Sequence, residues 1–297
     1  MTTTTYQPII HAAEVWTADE SNALRPSESL ADFDLAVAKD VVERAVASLS
    51  PVIVHRDDLA NHNGVIDFQA AMAIPIIADR HVKACLVLSL ACPANSMGAF
   101  EIWSRDERDE LGLNGAVFSG LRRFATISNH VRFPRGSGLP GQSWEDRQAK
   151  LITGLGTNPN FMRAAGARAG GLDIGIGLPV MTTEHDLNSV ILILSSVSTP
   201  IARLFEVWDI EDNEARLRAC ASKNCDASET EGRAMNYVMG EGIVGKVWAS
   251  GVPIVSSQIS SVEVKRIASL TSDGLTNVIA IPVYVGPSIK SVLLMFN

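Results

Sequence analysis

The 297-residue sequence predicts an α+β protein built from three consecutive copies of one module, each an antiparallel sheet with short helices on one face. Three observations predict it. A Glu-x-Trp triplet recurs as Glu14-Val15-Trp16, Glu101-Ile102-Trp103 and Glu206-Val207-Trp208, each time followed by an acidic turn. A proline-bearing apolar strand recurs as Ala73-Ile74-Pro75-Ile76, Gly177-Leu178-Pro179-Val180 and Ala280-Ile281-Pro282-Val283. An apolar closing strand follows each: Cys85-Leu86-Val87-Leu88, Val190-Ile191-Leu192-Ile193 and Val292-Leu293-Leu294-Met295. Landmarks kept in one order, about a hundred residues apart, are the mark of a tandem repeat. The copies are placed at 6–93, 97–198 and 202–297.

Within a copy the elements read in a fixed order. The tryptophan lies in an opening strand rich in β-formers. A charged turn leads to a second strand, for example Glu110 to Ser119 or Ala215 to Ser222. A short glycine-flanked helix follows, near Leu139 to Gln148 or Ile243 to Ser250, with Gly251 as a C-cap. The first copy keeps this frame around Val42 to Val52 without the glycines. A short strand, a second helical segment and a closing hairpin complete the module. The hairpin turns fall at Ala78-Asp79-Arg80, Thr183-Glu184-His185-Asp186 and Gly286-Pro287-Ser288.

Composition narrows the function classes. With 46 % hydrophobic and 20 % charged residues the chain is globular rather than disordered. A net charge of −8 argues against a nucleic-acid partner, which calls for clustered Lys and Arg. No apolar run approaches the ~20 residues of a membrane span. Met1-Thr2-Thr3-Thr4-Thr5 has no basic region leading into an apolar core, so no secretory signal is read and a cytoplasmic location is expected. Cys85, Cys92, Cys220 and Cys225 form no Cys-x-x-Cys and have no histidine close by, so they predict reduced thiols and no metal site. The densest polar cluster, His55, Asp57, Asp58 and His62, follows a strand end and reads as a solvated loop.

The segment Gly136-Ser137-Gly138-Leu139-Pro140-Gly141-Gln142-Ser143-Trp144 aligns with Gly240-Glu241-Gly242-Ile243-Val244-Gly245-Lys246-Val247-Trp248. Together with Asn160-Phe161-Met162-Arg163 and the Ile-Pro strand, it resembles GAF domains of bacterial signalling proteins. The resemblance covers residues 100 to 297 well and the first, degenerate copy weakly. It implies three tandem GAF/PAS-like domains, each with a small-molecule pocket between the sheet and the inter-helix loops. The chain departs from the family in one respect. GAF domains begin and end with long helices over the other face of the sheet, and no stretch between the copies is long enough for them.

That departure has a physical consequence. The closing strands are apolar on both faces, whereas a sheet with one wet face alternates apolar with polar. Both faces must therefore be covered, since exposed apolar surface costs about 25 cal/mol per Å². With the helices missing, sheet must cover sheet. Three copies leave one unpaired in a pairwise scheme, so a homodimer is expected.

The implied pocket of the second copy collects His130, Arg132, Arg135, Trp144, Asn160, Arg163 and Asp173. Arginines beside a glycine-rich turn suit an anion. In the third copy the pocket candidates are Asn236, Tyr237, Trp248, Lys265, Arg266 and Asn277. Beside each stands a plainer role: the glycines shape a turn, the tryptophans pack on the sheet, and the charged groups are solvated. The six histidines are dispersed and no nucleophile elbow or P-loop is present, so no catalytic residue is assigned and no cofactor is named.

Three functions stay open. The leading one is a non-catalytic sensor or binding protein of bacterial signalling that recognises a small ligand or a protein partner. The second is a thiol-dependent enzyme related to the GAF-type free methionine sulfoxide reductases, which needs a low-pKa thiol in the pocket. The third is a structural assembly protein, whose pockets would be plugged by bulky side chains.

Overall fold

The computed structural model describes residues 8–19, 23–59, 68–222, 236–267 and 274–297. It contains three antiparallel sheets, one per copy. The first comprises β1 (Ile10–Ala18), β2 (Leu24–Leu30), β3 (Val52–His55), β4 (Ala70–Ala78) and β5 (His81–Leu90), ordered β2-β1-β5-β4-β3. The second comprises β6 (Gly98–Arg105), β7 (Leu111–Ser119), β8 (Arg132–Phe133), β9 (Lys150–Ile152), β10 (Leu172–Met181) and β11 (Leu187–Ser196), ordered β8-β7-β6-β11-β10-β9. The third repeats this order with β12 (Leu204–Glu211), β13 (Glu214–Ser222), β14 (Asn236–Tyr237), β15 (Ile254–Ser256), β16 (Val278–Val285) and β17 (Ser288–Phe296). The fold is thus α+β with three domains.

One helix sits on the outer face of each sheet. They are α1 (Leu35–Ser48), α3 (Gly138–Asp146) and α5 (Gly242–Ser250). Shorter helices α2 (Arg122–Ser128), α4 (Ala164–Ala169) and α6 (Ser261–Ile267) flank the last two. The first copy departs from the expected short helix. Its α1 has 14 residues, against 9 in α3 and α5. Asp34 caps it by accepting from the amides of Ala36 and Val37 at 2.9 and 3.2 Å. Gly251 ends α5 at φ +73, the left-handed residue that its glycine predicts.

The doubly apolar strands divide their side chains between two cores. In β6, Phe100 and Ile102 point to a central core, while Ala99 and Trp103 join the clusters under the helices. In β11, Ile191 and Ile193 point inward, with Val190 and Leu192 outward. In β5, Leu86 and Leu88 point inward, with Cys85 and Val87 outward. The inner faces of all three sheets form one core, and β4, β10 and β16 meet around its axis. A void of about 20 Å³ remains there, lined by the three Ile-Pro or Leu-Pro strands. Sheets therefore cover sheets, as the sequence requires. The cover closes in a ring of three rather than in pairs, so the unpaired sheet that called for a second chain does not exist.

Backbone bonds lock one end of the ring. Asp79 and Arg80, both at positive φ, make a two-residue hairpin turn. The Asp79 amide donates to Gly286 O of the third domain at 3.1 Å, and the Arg80 amide to Thr182 O of the second at 2.7 Å. The seams carry further bonds. The Ala149 amide donates to Ser291 Oγ at 3.0 Å, and the Val255 amide to Glu28 Oε2 at 3.2 Å.

Candidate functional site

The repeated Glu-x-Trp triplet organises the space between sheet and helices. A β-bulge falls immediately before each tryptophan, between Val15 and Trp16, Ile102 and Trp103, and Val207 and Trp208. Each tryptophan then donates its indole N–H to the glutamate two residues earlier, at 2.7 Å for Glu14, 2.9 Å for Glu101 and 3.0 Å for Glu206. A carboxylate placed under a helix layer needs further donors.

In the second domain Arg163 supplies them. Its Nη1 and Nη2 donate to the two oxygens of Glu101 at 2.5 and 2.8 Å, and both side chains are fully buried. Nη1 also reaches Ser128 Oγ at 2.6 Å. The guanidinium lies 4.5 Å from the Phe124 ring centre and 5.1 Å from that of Trp103, with Phe161 and Phe133 just beyond. Its Nε is buried without a hydrogen-bond partner.

The third domain repeats the pair and completes it. Arg266 donates to Glu206 at 2.5 and 3.0 Å, and its Nε donates to Glu263 at 2.6 Å. Tyr237 donates its hydroxyl to Glu263 at 3.2 Å, and its ring lies 5.2 Å from Trp208. Burial and the neighbouring Glu263 push the Tyr237 phenol up to about 12. Burial opposes the charge on Arg266, but Glu206 and Glu263 together outweigh it and raise its proton affinity. In the first domain the segment at the matching distance from the short strand lies outside the described residues, and Leu59 packs on the apolar cluster under α1. Glu14 keeps only the Trp16 bond, and burial raises its carboxyl above the ordinary glutamate range.

The pocket candidates scatter. Arg163 and Trp144 are buried in the second domain, the latter against the sheet. His130, Arg135 and Asn160 are exposed, and Asp173 is half-buried with its carbonyl taken by the Leu155 amide. Arg132 faces outward to Asp106 at 3.4 Å. These groups do not converge on one space. In the third domain Trp248 is half-buried against the core, Tyr237 belongs to the Glu263 network, and Lys265 is exposed. Asn277 lies elsewhere, on a cavity of about 370 Å³ in the seam between the first and third domains. Glu101, Glu206 and Glu263 are the central residues that sequence reasoning missed. For the first two the signal was the Glu-x-Trp triplet, noticed as a landmark but not as a buried acid in need of a base.

Thiols offer no reactive site among the described residues. Cys85 is fully buried and Cys92 half-buried, and burial pushes both thiols up, away from the thiolate. Cys220 is buried, and Cys225 lies outside the described residues, as does His62. Among the described residues no group of three His, Cys, Asp or Glu is placed to hold a metal ion, and no helix is long and apolar enough to cross a membrane.

No family model and no curated protein matches the chain. Solved structures do. The nlh2 GAF domain of A. aeolicus is similar at 24 % identity and TM-score 0.27, covering 33 % of this chain and 58 % of that one. The GAF domain of a phosphoenolpyruvate-protein phosphotransferase from Coxiella burnetii is similar at 17 % identity and TM-score 0.27, covering 33 % and 57 %. The free methionine-R-sulfoxide reductase of Neisseria meningitidis, solved with its substrate, is similar at 18 % identity and TM-score 0.26, covering 33 % and 51 %. The chain thus spans little more than half of each of these proteins, and each spans about a third of it, the share of one domain.

Proposed function

We propose that the chain is a non-catalytic binding protein of the GAF type, acting in bacterial signalling from the cytoplasm. The single observation that supports this most is the burial of Arg163 on Glu101, which fills the space between sheet and helices where a substrate would have to sit. Both charges are committed to each other, so neither is free to move a proton or activate a nucleophile. The free thiols of Cys85 and Cys92 suit a reducing compartment. Recognition then falls to seams and outer surfaces. A protein partner or a second copy would meet the chain at its outer helices and sheet edges, because the inner sheet faces are shut.

The thiol-enzyme reading keeps one support, the likeness to a sulfoxide reductase, and is weakened by the raised Cys85 and Cys92 thiols. The full chain, incubated with free methionine sulfoxide and a dithiol reductant, is expected to release no methionine. Sulfoxide-dependent consumption of the reductant would overturn the non-catalytic reading.

A further inference from the structure

We propose that the seam between the first and third domains is a binding site for a small organic carboxylate with an apolar body. The proposal rests on the non-catalytic binding reading and names the ligand class and the place. The cavity there measures about 370 Å³, within the range of small-ligand pockets. Its floor is apolar and buried. Ile10 and Ala13 come from the inner face of β1, and Val278, Ile279 and Met295 from β16 and β17. Among the described residues no aspartate or glutamate side chain lines it, in a chain that carries a net charge of −8.

Among the described side chains on its wall the one arginine is Arg203, which is exposed and whose guanidinium makes no ion pair or hydrogen bond with another described residue. Arg163 and Arg266, by contrast, are each locked onto buried glutamates. Only the Arg203 backbone is committed, its amide donating to Phe296 O at 2.8 Å, so the side chain is anchored at its root and free at its tip. Asn297 O, also on the wall, accepts from the Thr276 and Asn277 amides at 2.7 Å each. A planar guanidinium over an apolar floor recognises a carboxylate by paired charge-assisted hydrogen bonds and its hydrocarbon by burial.

The matching position in the second domain is closely packed. The position of Arg203 in the repeat is taken there by Gly98, against which Ile9 and Ile201 pack so closely that an added Cβ would stand 2.7 Å from Ile9 Cδ1.

Calorimetric titration of the full chain tests this with 4-phenylbutyrate and its uncharged amide as probes. The acid is expected to bind and the amide to bind at least about tenfold more weakly, since a charged hydrogen bond is lost. Arg203→Glu and the milder Arg203→Gln should each weaken the acid by about tenfold or more. Ser257→Trp, at an exposed wall position, should close the mouth and abolish binding while the thermal midpoint of the unliganded protein stays unchanged. Equal binding of acid and amide, an acid affinity indifferent to both Arg203 variants, or no binding of the acid to the wild-type protein would each overturn the proposal. Such a failure leaves sulfoxide turnover absent, whereas failure of the non-catalytic reading itself shows as turnover, so the two are distinguishable.

Discussion

The guanidinium of Arg163 bonds both carboxylate oxygens of Glu101 across 62 positions of sequence, with neither side chain touching solvent. A desolvated pair of this kind is held by mutual need: removing one partner strands the other charge. Arg163→Met should therefore destabilise the protein by about 3–5 kcal/mol, read from the denaturant midpoint. The double variant Glu101→Gln/Arg163→Met should recover part of that loss. A single variant as stable as wild type would show that the pair is not buried as described.

The thiols give a second test. In a Cys225→Ser background, Cys85, Cys92 and Cys220 should react with a disulfide reagent far more slowly than a free cysteine at pH 8. Burial favours the neutral thiol of Cys85 and Cys92, and only the thiolate attacks. Full reactivity should appear on unfolding in denaturant.

Glu14 sets a pH dependence. Its carboxyl is raised by burial, offset only in part by the Trp16 hydrogen bond. The folded state therefore binds the proton more tightly than the unfolded chain. This contribution to stability is present below the ordinary glutamate pKa and is lost as pH rises through the raised value. Glu14→Gln should thus raise the thermal midpoint at pH 7, and the gain should shrink as pH falls toward 4. A gain that does not change with pH would point away from the carboxyl.

The shared central core predicts one unfolding event. The inner faces of three sheets complete one another, so no domain has a finished core of its own. Tryptophan fluorescence and far-ultraviolet circular dichroism should trace coincident transitions in denaturant. Ile281→Asp, a charge placed in the wall of the axial void, should lower the stability of all three domains together.

The repeat, the strand order and the two-sided burial of the closing strands were legible because they are matters of period: Val190-Ile191-Leu192-Ile193-Leu194 has no polar position to spare. How many sheets meet was not, because apolar pattern states that a face is covered and not by how many neighbours. Hence a ring of three was read as pairs. The candidate site was less legible. Arg163 lies in a stretch that looks solvent-facing, and its partner Glu101 looks like a strand-end charge. Only the fold brings them within 2.5 Å. Arg203 carried no local signal, since a seam between the first and last copies has no counterpart along the chain.

Joining the three domains in a single polypeptide frees each from the others' identity. In an assembly of three separate identical subunits, a change at one position is a change at all three, so losing an arginine on one wall removes it from every wall. Here Arg163 and Arg266 hold the buried Glu101 and Glu206, whereas Glu14 has its tryptophan, and Arg203 stands where the second domain has Gly98 and the first has His11. Covalent tandem architecture has thus turned three equivalent edges into individuals, and an oriented, one-of-a-kind feature can arise on a scaffold whose outline still has threefold regularity.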